Sequence, residues 1–157
     1  MLYIKQDDGQ YCIADEDDVI CEAITIYNRY FCKGTPLTEP VKAADYLKLK
    51  LAQYDHEVFV GLFLNKRHQI ISCDELSHGT IDAASVHSRE VVKAALLHNA
   101  AAVVFAHNHP SGASEPSQAD INITEKLKSA LALIDVTVLD HFVIGESVVS
   151  FAEQGLI

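Results

Sequence analysis

The chain has 157 residues and a formal net charge of −10, with hydrophobic side chains at 49% of positions and charged ones at 22%. These values describe a compact domain with an apolar core and exclude a disordered chain. Acidic residues outnumber basic ones by 22 to 12, which disfavours direct binding of nucleic acids, because their phosphates are bound through Lys and Arg. The sequence has no long apolar run and no basic start followed by an apolar block, so we expect a cytoplasmic protein without a membrane partner.

Residues 1–34 form a lead-in segment that we separate from a main domain over residues 35–157. The acidic run from Asp15 to Asp18 favours the start of a helix, which we expect from about Asp17 to Cys32 with Gly34 as its stop. Apolar residues recur on one face of this helix, at Val19, Ile20, Ala23, Ile24 and Tyr27. We expect this face to pack on the main domain; the alternative is that it binds a partner.

In the main domain, predicted helices alternate with predicted strands. Helices are expected at about 40–53, 88–99 and 117–133, with Thr38 as the N-cap of the first. Val91, Val92, Ala95 and Leu96 should face inward from the second. Strands are expected at 57–64, 69–76, 100–106, 136–144 and 148–151, the first two antiparallel around a turn at 65–67. This order predicts an α/β fold, in which a mixed sheet is flanked by helices.

The segment from His107 to Asp120 carries the clearest chemical signal. His107 and His109 are two residues apart at the end of an apolar strand, so their side chains point to the same side. A loop rich in Pro and Gly follows, and Asp120 lies in the first turn of the next helix. Two imidazoles and one carboxylate, with a fourth position for water, are typical of a catalytic zinc site. The alternative is that Ser117 and Asp120 only form a capping pair at the helix start.

Several motifs together resemble a known family. His107-Asn-His-Pro-Ser-Gly112 followed by Pro116-Ser-Gln-Ala-Asp120 is similar to the JAMM (MPN+/JAB) metalloprotease motif. The chain from about Thr38 to Ile157 more closely resembles RadC-like proteins, and the matching segments are Phe59–Asn65, Gly79–Asp82, Val86–Glu90, Leu139–His141 and Ser150–Glu153. The resemblance implies a JAB/MPN architecture, similar to that of cytidine deaminases, and Zn²⁺ held by His107, His109 and Asp120.

The resemblance also implies two catalytic residues. JAMM enzymes place a glutamate that accepts a proton from water on an early strand, and Glu57 occupies that place, with Glu75 and Glu90 as alternatives. Ser117 lies where these enzymes place a serine that stabilises the oxyanion of the tetrahedral intermediate, and it is also the expected helix N-cap. Asp140 and His141 lie in a matching segment, as does His87, and their roles stay open.

These observations favour a zinc-dependent hydrolase, in particular a metallopeptidase or isopeptidase acting on a peptide or protein substrate. One alternative is a non-catalytic interaction module with the same fold. Another is a DNA-repair role, which the RadC resemblance suggests, although residues 1–34 are too short and too acidic for the helix-hairpin-helix domain of longer RadC proteins. Cytidine-deaminase chemistry would need His-x-Glu and Pro-Cys-x-x-Cys, and the sequence contains neither. The substrate and the oligomeric state are not encoded in these patterns.

Overall fold

The computed structural model describes residues 2–5, 9–30, 33–37, 39–78 and 86–157. The chain divides into two compact units, Met1–Cys32 and Lys33–Ile157. Two of the sequence predictions, the N-cap at Thr38 and the Gly79–Asp82 motif, fall outside the described residues. Among the described helices, none combines the length and the hydropathy that a membrane-spanning segment needs.

The first unit contains a hairpin that the sequence patterns did not predict. Strands β1 (Tyr3–Lys5) and β2 (Tyr11–Ile13) pair antiparallel, and helix α1 (Glu16–Tyr30) follows them. The acidic start of the helix is explained by a reciprocal pair, because the carboxylates of Asp15 and Asp18 each accept the backbone N–H of the other residue. Val19 and Ile20 of the predicted apolar face are 37% and 48% exposed.

In its described residues, the second unit is a five-stranded sheet with three helices. In chain order its elements are α2 (Pro40–Leu51), β3 (Val58–Leu64), β4 (Ile70–His78), α3 (Ser88–Leu97), β5 (Ala102–Asn108), α4 (Gln118–Ala132), β6 (Thr137–Ile144) and β7 (Val148–Ser150). The strand order is β4-β3-β5-β6-β7, and only β5 and β6 run parallel. The prediction of a mixed sheet in an α/β fold is therefore confirmed.

The two central strands are buried at every position, as their continuous apolar sequences predict. Helix α2 contacts β5 and β6. Helices α3 and α4 contribute Val91, Ala95, Leu127 and Leu131 to a core cluster with Phe59, Phe63, Val103 and Phe105 of the sheet. Successive strand residues point to opposite faces, so Val103, Phe105 and His107 share the face of the sheet that α3 and α4 cover.

Helix α2 has Glu39 at its N-cap, and the Glu39 side chain makes no capping hydrogen bond; Pro40 at the first helical position needs no N–H partner there. One prediction about the face of a helix was wrong. Leu96 was expected to face inward from α3 but is 60% exposed. Val91 and Ala95, four residues apart, define the buried stripe, and Leu96 lies a further 100° or so around the helix.

Candidate metal centre

Strand β5 continues two residues beyond its predicted end and so fixes the first of the two histidines. His107 pairs with Phe59 of β3 on one side and Val143 of β6 on the other. Its side chain is fully buried, and its ring stacks on Phe59 with the ring centroids 6.0 Å apart. The imidazole is therefore held rigidly under helix α4.

His109 is positioned by the loop that follows β5. Its backbone N–H donates to the carbonyl of Ile144, and its Nδ1 lies 2.8 Å from the carbonyl oxygen of Ala113. The loop packs closely on the β6–β7 turn, because a Cβ added at Gly145 would clash with the carbonyl oxygen of Gly112. Because a carbonyl oxygen only accepts hydrogen bonds, Nδ1 of His109 carries a hydrogen, and in the neutral ring Nε2 then presents a lone pair.

Asp120 is the third residue of α4 and is held by a capping box with Ser117. Its Oδ2 accepts hydrogen bonds from the Ser117 backbone N–H at 2.7 Å and from the Ser117 hydroxyl at 2.6 Å. The Ser117 oxygen in turn accepts from the Asp120 N–H at 3.2 Å. Burial disfavours the charged carboxylate, but the adjacent His107 ring and the hydrogen bonds from Ser117 outweigh this and hold the pKa of Asp120 well below its usual range.

The three predicted ligands converge. Nε2 of His107 lies 3.0 Å from Nε2 of His109 and 3.2 Å from Oδ1 of Asp120. One candidate ligand atom from each residue can be chosen so that all three lie within 4.8 Å of one another. Two imidazole nitrogens and one carboxylate oxygen form a donor set that zinc and other divalent transition metals accept. This His-His-Asp group could therefore bind a metal ion.

Glu57 comes directly before β3 and is half-buried. Continuing the register from the Phe59–His107 pair places Glu57 opposite His109. Among the described residues, none donates a hydrogen bond to the Glu57 carboxylate or forms an ion pair with it. Its role as the base stays a prediction.

The two alternative glutamates have other partners. Glu75 accepts a hydrogen bond of 2.5 Å from the hydroxyl of Tyr54, and this bond is the main reason why the pKa of Tyr54 rises to about 12. Glu90 is exposed and forms an ion pair of 2.8 Å with Lys93 on helix α3. Both carboxylates have local functions that need no metal.

The residues whose roles the sequence left open are now placed. Asp140 is buried, and its carboxylate accepts the backbone N–H groups of His141 and Ala152 and the hydroxyl of Ser150. It therefore holds the connection between β6 and the end of the chain. His141 is fully buried, with its Nε2 2.8 Å from Nδ1 of His107. His87 lies at the N-cap of α3 without a side-chain capping bond.

Comparisons with known proteins agree with this architecture. Residues 37–156 match the family described as the RadC-like JAB domain. A UPF0758 protein of Vibrio cholerae is 54% identical over 142 residues, which are 90% of each chain. A UPF0758 protein of Thioalkalivibrio sulfidiphilus is 56% identical over 125 residues, and one of Nitrosomonas europaea is 60% identical over 125. The chain spans 56% of the length of each of the latter two relatives. From its sequence and its fold, the chain belongs to the RadC-like JAB domain family.

Proposed function

We propose that this chain is a zinc-dependent hydrolase that cleaves a peptide or isopeptide bond. The observation that carries the proposal is the convergence of two histidine nitrogens and one carboxylate at a point that solvent reaches. The side chains of His109 and Asp120 are 16% and 13% exposed, whereas His107 is fully buried. Structural zinc sites are closed by four protein ligands, and a three-ligand site with an accessible side is typical of catalytic zinc.

A zinc ion held by His107, His109 and Asp120 would supply a Lewis acid that makes water nucleophilic and polarises a carbonyl group. The remaining steps fall to the chain's own side chains. Both histidines serve as ligands only when Nε2 is unprotonated, and in neutral His109 the carbonyl of Ala113 favours this tautomer by accepting from Nδ1–H. For Asp120, the two hydrogen bonds from Ser117 orient the carboxylate towards the histidines.

Glu57 is proposed as the general base. Its carboxylate would accept a proton from the attacking water and then donate it to the leaving amine, so that one group serves both halves of the reaction. Its place opposite His109 in the extended register, and the lack of a competing partner among the described residues, support this role. The local partners of Glu75 and Glu90 make them weaker candidates.

Ser117 is proposed to stabilise the oxyanion of the tetrahedral intermediate. Ser117 is exposed, so a substrate can reach its hydroxyl. The oxygen caps the helix by accepting the Asp120 N–H, while its hydrogen points to the carboxylate of Asp120. These two contacts use different parts of the hydroxyl. The hydrogen can therefore turn to a substrate oxyanion while the cap is retained.

The test starts from the full chain purified without chelator. Metal analysis should find about one zinc per chain, with ligand distances of about 2.0–2.2 Å in a crystal structure. The zinc-loaded protein is then incubated with a proteome-derived peptide library and with ε-linked isopeptides, and new amino termini are read by mass spectrometry. His109→Ala should lose the metal, whereas Glu57→Gln should keep it and lose hydrolysis.

Three results would count against the proposal in different ways. No zinc after reconstitution would refute the metal site. Turnover that survives Glu57→Gln would refute Glu57 as the base and direct attention to Glu75. Stoichiometric zinc without cleavage of either class of substrate would refute the hydrolase and favour an interaction module that keeps the fold and the metal.

A further inference from the structure

A buried contact lies behind His107, on the side away from the other two candidate ligands. Nδ1 of His107 is 2.8 Å from Nε2 of His141. Both side chains are fully buried. His141 lies on β6, the strand that runs parallel to β5, at the position paired with Phe105. The ring that contacts the candidate metal ligand is thus carried by a neighbouring strand.

The contact continues through a second residue. Nδ1 of His141 is 2.7 Å from the hydroxyl oxygen of Thr124. That hydroxyl is also 2.6 Å from the backbone carbonyl oxygen of Asp120, one helical turn earlier in α4. Thr124 is 1% exposed. A continuous chain of hydrogen bonds therefore runs from the side chain of one candidate ligand, His107, to the main chain of another, Asp120.

The contact between Thr124 and the carbonyl of Asp120 decides which group donates and which accepts in each of these hydrogen bonds. A carbonyl oxygen can only accept, so the single hydroxyl hydrogen of Thr124 is donated to it. The Thr124 oxygen must then accept from Nδ1–H of His141. A fully buried imidazole with no carboxylate at either nitrogen is held neutral, because an unpaired charge there would be costly. Nε2 of His141 therefore accepts a hydrogen bond.

These roles of His141 also fix the role of Nδ1 in the candidate metal ligand His107. Because Nε2 of His141 accepts, Nδ1 of His107 must donate to it, and in the neutral His107 ring the lone pair is then on Nε2, which faces His109 and Asp120. We propose that Thr124 and His141 are positioning residues that hold the hydrogen of neutral His107 on Nδ1, so that its Nε2 binds the metal. This inference rests on the metal site of the proposed function.

A purely structural role for His141 is the competing explanation. Its ring packs against Phe59, Phe105 and Phe151, with centroid distances of 5.2, 6.2 and 4.7 Å. Packing alone would be preserved in Thr124→Val, which keeps the size and branching of the side chain and removes only the hydroxyl. The two explanations therefore differ in what this single substitution does to the metal.

The first measurement reads the protons directly. Long-range ¹H–¹⁵N spectra of the metal-free, ¹⁵N-labelled full chain distinguish imidazoles protonated on Nδ1 from those protonated on Nε2. We expect Nδ1–H on both His107 and His141 in the wild type. In Thr124→Val the Nδ1–H of His141 loses its acceptor, so both rings should shift towards a mixture of tautomers.

The second measurement is the zinc affinity, from competition with a chromophoric chelator. Thr124→Val should weaken zinc binding about 10–100-fold, the usual effect of losing a hydrogen bond behind a metal-binding histidine. Thr124→Ser restores the hydroxyl and should recover most of the affinity. Thr25→Val is the matched control, because Thr25 makes the same bond to the carbonyl four residues earlier, on exposed helix α1 and with no histidine contact in the described structure.

An Nε2–H tautomer of His141 in the wild type would overturn the inference, as would unchanged zinc affinity in Thr124→Val. If Thr124→Val does not fold, the inference is still tested by the His141 tautomer in the wild-type spectra and by the zinc affinity of Thr124→Ser. A wild type that binds no zinc but shows Nδ1–H on both rings would refute the proposed metal site while supporting the order of the protons, so the two failures are distinguishable.

Discussion

The side-chain oxygen Oδ1 of Asn108 accepts a 2.8 Å hydrogen bond from the backbone N–H of Val58, where the ladder between β5 and β3 ends. Its Nδ2 donates to the carbonyl of His56 at 2.9 Å. One buried amide group thus mimics a peptide bond and binds the backbone on both sides of Glu57. The residue between the two histidines therefore ties the proposed base to the strand that carries the metal ligands.

Asn108→Ala should destabilise the protein more than an average substitution. It would leave the Val58 N–H and the His56 carbonyl without partners at a buried position, which costs about 2–4 kcal/mol of unfolding free energy in total. It should also reduce hydrolysis at saturating zinc, because Glu57 loses its anchor. Urea unfolding and single-turnover kinetics measure the two effects.

Asn122→Ala is the matched control for Asn108→Ala. Asn122 accepts a 3.0 Å bond from Gln118 on the exposed surface of α4, so its loss should change stability by less than about 0.5 kcal/mol. Equal unfolding midpoints for the two variants would show that the Asn108 contacts contribute little.

Ser117→Ala separates the two roles proposed for this serine. Loss of the N-cap should cost about 1 kcal/mol of stability, and zinc should still bind at saturation because all three ligands remain. If the hydroxyl hydrogen turns to the substrate oxyanion, kcat should fall by about 10²–10³ at saturating zinc. If Ser117→Ala lowers the stability but leaves kcat unchanged, Ser117 acts only as the helix N-cap.

Much of this site could be predicted because its ligands are close in the sequence. The two-residue period of a strand brings His107 and His109 to one side, and the capping pattern of Ser117 and Asp120 marks the helix start. The hydrogen-bond chain could not be predicted in this way. It joins Thr124 to His141, which are 17 residues apart in the sequence. The rings of His141 and His107 meet because β5 and β6 pair in parallel.

The errors in the fold have equally local causes. Strands β1 and β2 have three residues each, too few for an alternating pattern to be visible, and the signal that could have revealed them is Gly9 between them, with φ of 83°. The expectation that the apolar face of α1 packs on the main domain stays a prediction, and Val19 and Ile20 of that face are partly exposed in the described structure. A periodic pattern predicts a helix but does not say what covers its apolar face.

The stability of the metal-free protein should fall as the pH drops below about 6.5. Burial, and to a lesser extent the nearby His107, hold the pKa of His141 well below the ordinary value of 6.5, although Asp120 partly opposes this. Below pH 6.5 the unfolded chain binds a proton at this position and the folded one does not. His141 therefore lowers the free energy of unfolding by about 1.4 kcal/mol per pH unit over that range.

Urea unfolding in the presence of a chelator, between about pH 6.5 and 4.5, measures this slope. The window lies above the ordinary Asp value of 3.8, so Asp120, whose depressed pKa removes stability only at lower pH, does not contribute. His141→Gln should show a slope smaller by about one proton. An unchanged slope in that variant would mean that His141 titrates normally in the folded protein.

The last prediction is that this chain binds duplex DNA only weakly at physiological salt. Affinity for phosphates comes from basic side chains that displace counterions, and here 12 Lys and Arg face 22 acidic residues. The structure neutralises several of them further, since Lys42, Lys93 and Lys128 each form an ion pair with a glutamate three residues earlier.

One cavity of about 480 Å³ does bring basic groups together, at His87, Arg89 and Lys126, beside Glu90, and a backbone phosphate could find more than one cation there. Fluorescence anisotropy with labelled duplex and single-stranded DNA, repeated across salt concentrations, provides the measurement. Sub-micromolar affinity at about 150 mM salt with a steep salt slope would contradict the prediction. In that case Lys126→Glu should weaken binding and reduce the slope by about one if the cavity holds a phosphate, and an unchanged slope would place the contact elsewhere on the chain.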